Sequence, residues 1–416
     1  MNILVLAYMI SPSRGSEYSV AWNYVKNMSK FHRLTVLYGA SGNHMGDCKE
    51  MEDYANLHPN PNVRFVAIYP NRFTNLLNWP NRHNLFVYTS YFAYQQWHKL
   101  AYKKAKELLG NEHFDLIHYV GMIGYREPGY LWKLGLPYVW GPISGANNIP
   151  KVFIKKMPLR SKLKFILRTV ANKYQIRYKK RLKQALKHTN VLLTASSENQ
   201  RIFKELHNRD SICLPENGID GTFSLNENKF NDLSTINIIV VGRLDANKSV
   251  NILLEAINNM DNVKKVHVDI VGDGPLRNSL QEFVNHNLLK DIVTFHGQVP
   301  RTKAVEMFDK AHLHVITSAS EGNPTTIWEA MSHGVPTLSF DHCGMHDTLR
   351  DGGGILIPIK PKYEDNILSI SRVIDDLINN SFKLKELAEL TLSRANEYTW
   401  DKRIELFNRI YADLCK

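Results

Sequence analysis

Cysteine is scarce in this chain and nowhere paired in sequence. Cys48, Cys213, Cys343 and Cys415 are scattered through 416 positions with no Cys-x-x-Cys. That excludes a disulfide framework and a zinc ribbon, and points to a reducing, cytoplasmic setting. Long apolar runs are missing too, so no stretch of about 18 residues is suited to span a bilayer. The apolar opening Ile3–Ile10 has no basic region before it and no small-residue cleavage site after it, and reads as a first strand rather than a signal peptide. Asp341, His342, His346 and Asp347 lie close enough in sequence to suggest a metal set, but no metal is expected there, and the chain has no Asp-x-Asp motif. Zinc-finger, helix-turn-helix and RNA-binding signatures are absent, so nucleic acid is not an expected partner. Acidic residues are also missing from one long segment. Residues 151–187 hold 14 Lys or Arg and no Asp or Glu, leaving 38 basic against 40 acidic residues elsewhere. The net charge of +12 is therefore local.

What is present is the alternation of an α/β protein. Short apolar runs alternate with helical patterns, as in parallel sheets covered on both faces. Strands are expected at Ile3–Ile10, Leu34–Tyr38, Val63–Tyr69, Leu116–Tyr119, Pro137–Trp140 and Val191–Ala195. A second series runs through Ile236–Val241, Val266–Val271, Ile292–Phe295, Leu313–Ile316, Pro336–Phe340 and Ile355–Ile357. The turn-rich Leu214–Asp220 and the polar stretch Ser224–Thr235 separate the series. Two domains are expected, 1–213 and 214–400, with a last helix over 401–416 returning to the first.

The densest chemistry lies in Glu321-Gly-Asn-Pro-Thr-Thr-Ile-Trp-Glu329. Asn323 suits an N-cap, Pro324 the first helical position, Gly334 the C-terminus, and Pro336 forbids continuation. Glu321 would then stand at the mouth of the helix and Glu329 about two turns along it. The free N–H groups near Pro324, Thr325 and Thr326 would form an anion site. Upstream, Ile238-Ile-Val-Val-Gly242-Arg243 runs on to Lys248, a buried-type strand entering a glycine turn with two cations that can reach a diphosphate. Val268-Asp-Ile-Val-Gly272-Asp273-Gly274-Pro275 repeats the strand-to-glycine-turn pattern. An anion pocket flanked by carboxylates suits a nucleotide sugar.

With Phe295-His-Gly297, Ser320-Glu321…Glu329-Ala-Met and Gly334-Val-Pro336 followed by Gly352–Gly354, residues 214–400 resemble glycosyltransferase family 4 (glycosyl transferases group 1). Gly15-Ser16-Glu17, Asp115-Leu-Ile-His118, Arg126-Glu-Pro128 and Gly141-Pro-Ile-Ser-Gly145 match more loosely. Asn323 stands where that family usually has a hydrophobic residue. The resemblance implies the GT-B fold, two doubly wound Rossmann-like domains facing each other across a cleft. It implies transfer, with retention, of a sugar from a UDP- or GDP-linked donor, without an obligatory cofactor. Arg243, Lys248 and the helix N-terminus would hold the diphosphate, Glu321 the donor sugar and Glu329 the ribose. His118 would orient the donor sugar or stabilise its oxocarbenium-like state, through its backbone carbonyl or its ring, and Gly15, with Arg14 or Ser16, would meet substrate. Gly242, Gly272 and Asp273 would shape the donor site. Other readings stay open: a GT-B-like nucleotide-sugar epimerase or phosphorylase, or a non-catalytic membrane-adsorbed binding module.

Within 151–187, Leu163, Ile166, Leu167, Val170, Tyr174, Tyr178, Leu182 and Leu186 recur at helical spacing. This stripe either lies, with its basic neighbours, on an anionic membrane or packs on the first domain's sheet. The first alternative makes the protein a peripheral one on the inner face of the cell membrane, serving a glycan or glycolipid acceptor.

Overall fold

The computed structural model describes every residue except Ser16, Asn84, Val87, Thr222 and Ser224. Ser16 and Ser224, named above, thus lie outside the described residues. The chain forms two compact units: Met1–Ala146 with Lys173–Asn217 and Asp401–Lys416, and Asn147–Asn172 with Gly218–Trp400.

The first unit is built on seven parallel strands: β1 (Asn2–Ala7), β2 (Arg33–Tyr38), β3 (Val63–Ala67), β4 (Leu116–Gly121), β5 (Tyr138–Ile143), β6 (Val191–Thr194) and β7 (Ile212–Cys213). Their order is β3-β2-β1-β4-β5-β6-β7. β1 is apolar and buried from Ile3 to Ala7, as expected of a central strand covered on both faces. The second unit has six parallel strands: β8 (Ile236–Val241), β9 (Val266–Val271), β10 (Val293–Gly297), β11 (Leu313–Ile316), β12 (Thr337–Phe340) and β13 (Gly354–Ile357), ordered β10-β9-β8-β11-β12-β13. Both orders reverse beside the first strand of the series, the doubly wound pattern whose ligands sit beyond the strands' carboxyl ends.

One boundary differs from the sequence reading. Residues 147–172, expected in the first domain, belong to the second unit. The reason is burial: Phe153 (2% exposed), Ile154 and Phe165 join the core formed with β8, β9 and β12. The Phe153 ring centroid lies 4.9 Å from that of Phe340.

The basic segment also divides. Its helices, Leu159–Tyr178 and Lys180–His188, are separate, and the apolar stripe does not stay on one surface. Leu163, Leu167, Val170, Tyr174 and Tyr178 are each more than half exposed, whereas Leu182 and Leu186 are buried in the first unit. The first helix instead turns Phe165, Asn172 and Ile176 inward. Packing on the sheet therefore accounts for the stripe only beyond Lys179.

Candidate functional site

In the second unit the sheet order reverses between β8 and β11, and two loops meet there. Gly242–Lys248 follows β8, and Thr317–Glu321 follows β11. The Asp245 carboxylate folds the first loop by accepting from the backbone N–H groups of Asn247 (2.9 Å) and Lys248 (3.1 Å), the local bonding that favours Asp in turns. The loops are then tied together. Ala319 N–H donates to Asn247 O at 2.7 Å, and Asn247 Nδ2 donates to Ser320 O at 2.8 Å. Thr317 Oγ1 donates to Ser249 O at 3.0 Å. This frame brings Lys248 Nζ to 2.7 Å from Glu321 Oε1. Arg243 stands out toward solvent, 72% exposed, with Nε 3.6 Å from Asp245.

Gly272 is required by backbone contact. It has φ +139, and a Cβ there would stand 1.9 Å from Gly242 O. Its turn locks onto the β8 turn, with Gly242 N–H donating to Val271 O at 2.9 Å and Leu244 N–H to Asp273 O at 3.0 Å. Asp273 accepts from Gly274 N–H (2.6 Å) and Arg277 (2.8 Å), which hold its pKa below the ordinary range. Gly242, Arg243, Lys248, Ser318 and Thr326 line a small cavity. Two buried polar atoms at this junction, Ser318 Oγ and Asn247 Oδ1, have no hydrogen-bond partner among the described residues. Buried polar atoms are rarely left so, and a polar ligand would satisfy them.

The helix after Glu321 runs Thr325–Ser332, and here the sequence reading needs correction. Pro324 occupies the N-cap position without a side-chain capping bond. Asn323 is not the cap: its buried Oδ1 accepts from Thr348 Oγ1 at 2.7 Å, tying the loop to the helix Cys343–Leu349. Gly334 does follow the helix in the left-handed region, with φ +59. Glu329 is engaged separately from Glu321, its Oε1 lying 3.0 Å from Nε of Arg301.

A residue that sequence reasoning missed lies beside the Glu321 loop. Asn147 Nδ2 is 3.3 Å from Ser320 Oγ and 2.7 Å from Cys343 Sγ. Its place in the second unit was hidden because the neighbouring chain reads as a continuation of the first.

In the first unit, His118 requires a second correction. Expected beside a reacting sugar, it is fully buried. Its Nε2 lies 2.8 Å from Gly141 O, which fixes the proton there, so Nδ1 accepts from Tyr411 Oη at 2.6 Å. Tyr411 Oη is also 2.6 Å from Tyr24 Oη. The ring thus anchors the helix Trp400–Leu414 and has no nitrogen left for substrate. After β1, Arg14 is held by Glu50 (3.1 Å) and Asn43 (2.7 Å). A Cβ on Gly15 would meet nothing within 4 Å, so no protein contact demands glycine there. Glu17, which opens the helix Glu17–Met28, was read only as part of a motif; burial pushes its carboxyl up to about 7.

Two buried histidines, His118 and His314, and the partly buried His342 set an expected pH dependence. Burial lowers His118 and His342 to about 4 and His314 to about 3, against about 6.5 in an unfolded chain. The unfolded state therefore binds more protons below pH 6.5, and stability falls as pH drops toward 4. For His118 alone the loss near pH 4 is about 3 kcal/mol. Thermal unfolding between pH 7.5 and pH 4.5 should give a falling midpoint, with a shallower fall in His118→Gln.

The matches to known proteins agree with this geometry. Residues 224–390 match the model of glycosyl transferases group 1. An uncharacterized glycosyltransferase of Methanocaldococcus jannaschii is 25% identical over 315 residues, covering 76% of this chain and 80% of its own. A putative teichuronic acid biosynthesis glycosyltransferase of Bacillus subtilis is 32% identical over 217 residues, covering 48% of this chain and 53% of its own. In fold, the chain is similar to the Anabaena HepE structure solved with UDP and glucose, with TM-score 0.62 and 14% identity, covering 99% of this chain and all of the other. The two Rossmann-like units have the GT-B fold, and residues 224–390 match glycosyl transferases group 1.

Proposed function

We propose that this chain is a glycosyltransferase of family 4 that moves a sugar, with retention, from a nucleoside diphosphate donor to a lipid-linked glycan acceptor. The product would serve surface polysaccharide or glycolipid synthesis on the cytoplasmic face of the membrane. The observation that carries the reading is the Lys248–Glu321 pair at 2.7 Å, beside Arg243 and the partnerless Ser318 and Asn247 oxygens, at the sheet's switch point. The bond between the anomeric carbon and the diphosphate oxygen breaks, and negative charge grows on that oxygen. Arg243, Lys248 and the N–H groups opening the helix at Thr325 stabilise it. The acceptor oxygen bonds to the same face of the carbon, and its proton passes to the leaving phosphate. Glu321 holds the donor sugar, and Glu329 accepts from the ribose hydroxyls once Arg301 yields.

The crystallised HepE complex contains UDP and glucose, and the Bacillus relative is named for teichuronic acid synthesis; both favour a uridine diphosphate donor and a surface-glycan acceptor. The exposed half of the apolar stripe, Leu163 to Tyr178 among basic residues, is suited to an anionic bilayer.

Thermal unfolding against uridine, guanosine, adenosine and cytidine diphosphates tests the donor site. At a ligand level about 100 times Kd, one base should stabilise the protein by about 2.7 kcal/mol, and Arg243→Ala should abolish the shift. No shift with any base would overturn the assignment.

A further inference from the structure

The helix Arg72–Arg82 is amphipathic in the reverse of the usual sense. A helix on a globular protein turns its apolar face to the core. Here Thr74 and Asn78 are the buried residues, while Phe73, Leu76 and Trp79 are 53%, 70% and 51% exposed. The exposed apolar surface continues through Leu85 and Phe86 to Phe92, on the first turn of the helix Thr89–Asn111. Among the described residues between 69 and 92, nine large apolar side chains are more than half exposed. Monomeric proteins rarely leave so much contiguous apolar surface in water without a partner for it.

The inner polar face has its hydrogen bonds met locally, so burying it leaves these groups satisfied. Asn71 caps the helix, its Oδ1 accepting from Thr74 N–H and Thr74 Oγ1, each at 2.9 Å. Farther along, the buried Asn78 Oδ1 accepts from Asn81 Nδ2 at 3.1 Å. These bonds satisfy the polar groups of the inward face within the helix itself, and the burial of Thr74 and Asn78 shows which face is turned in.

Charge indicates what covers the surface. Residues 54–106 contain seven Lys or Arg and no Asp or Glu. This is a second acid-free stretch, separate from 151–187. A second copy of the chain would bring the same cationic surface against itself, which is unfavourable. Trp and Tyr among aliphatic residues, flanked in sequence by cations, with Glu52 bonded to Tyr69 at the rim, is a composition that settles at the headgroup level of an anionic bilayer. The patch also lies beyond the carboxyl end of β3, the edge of the sheet where ligands bind in doubly wound units. Below it, Tyr94 and Trp97 pack on Tyr8, which follows β1, with ring centroids at 4.6 and 4.7 Å.

We propose that the exposed face of the helix Arg72–Arg82, with Leu85, Phe86 and Phe92, forms a membrane-insertion surface of the first unit, sinking Phe73, Leu76, Trp79 and Phe86 into the headgroup region of an anionic bilayer. It deepens the reading of a lipid-linked acceptor but stands on its own exposure and charge. The full chain should sediment with vesicles of phosphatidylcholine and phosphatidylglycerol, much less with phosphatidylcholine alone, and less at high salt. The triple variant Phe73→Ser, Leu76→Ser, Trp79→Ser should lose vesicle binding on the order of tenfold or more while keeping the wild-type nucleotide shift and unfolding midpoint. Leu163→Ser with Leu167→Ser, in the other acid-free stretch, reads that stretch's share independently. Undiminished vesicle binding by the triple variant would overturn the proposal. So would a wild-type dimer, indifferent to vesicles, that the triple variant dissociates. A missing nucleotide shift with vesicle binding intact would count against the donor site alone.

Discussion

Lys248→Ala is expected to slow release of nucleoside diphosphate from the donor by about 10²–10³-fold in kcat. The expectation rests on where the charge develops. Lys248 lies within a partly buried pair, 25% exposed against 17% for Glu321, so its ammonium acts in a medium where water screens it less than at the surface. It is held there before any ligand arrives, because Asp245 fixes its backbone N–H and Asn247 ties its loop to Ser320. A group already in place needs no reorganisation when the bond breaks. Glu321→Gln should behave differently. The amide keeps hydrogen bonds to sugar hydroxyls but releases Lys248 from its carboxylate, so KM for the donor should rise less than in Glu321→Ala. Rates with the donor identified by thermal shift, beside unfolding midpoints of the unliganded variants, separate the roles. A lowered midpoint with unchanged kcat would make the pair a structural tie.

The parts of this site that are local in sequence were legible there. Gly242, Arg243, Lys248 and Glu321 follow the carboxyl ends of two strands whose apolar runs, Ile236–Val241 and Leu313–Ile316, coincide with β8 and β11. The central strands announce themselves because a sheet buried on both faces demands continuous apolar residues. What failed depended on contacts distant in sequence. His118 ends up as an anchor because Tyr411, 293 positions away, reaches its ring, and periodicity carries no trace of that meeting. Asn323 has the chemistry of a cap, but Thr348, 25 positions on, competes for its oxygen and wins. The two-residue β7 (Ile212–Cys213) is too short to show a pattern. The reversed helix Arg72–Arg82 has a helical apolar face that sequence alone assigns to the core. Only its exposure in the folded chain shows that it points outward.

Phe153→Ala is expected to destabilise the second unit by about 3–5 kcal/mol, the largest stability loss foreseen for a single exchange here. Phe153 is 2% exposed. Its ring packs against Phe340, the last residue of β12, and edge-on against His342 with centroids 6.3 Å apart. Removing it opens a cavity beside the turn that leads into the helix at Cys343, whose Sγ is a partner of Asn147. Because the chain comprises two units, unfolding need not be a single transition, and which transition moves is the informative quantity. A nucleoside diphosphate bound near Lys248 stabilises only the unit that holds it, by about 2.7 kcal/mol at 100 times Kd. Phe153→Ala should lower that same nucleotide-sensitive transition and leave the other in place. If the insensitive transition moved instead, residues 147–172 would belong energetically with the first unit, and the place of Asn147 beside Ser320 would lose its support. With the expected result, a segment that reads as first domain becomes part of the floor beneath the donor site, and substitutions at Asn147 should alter donor KM before they alter stability.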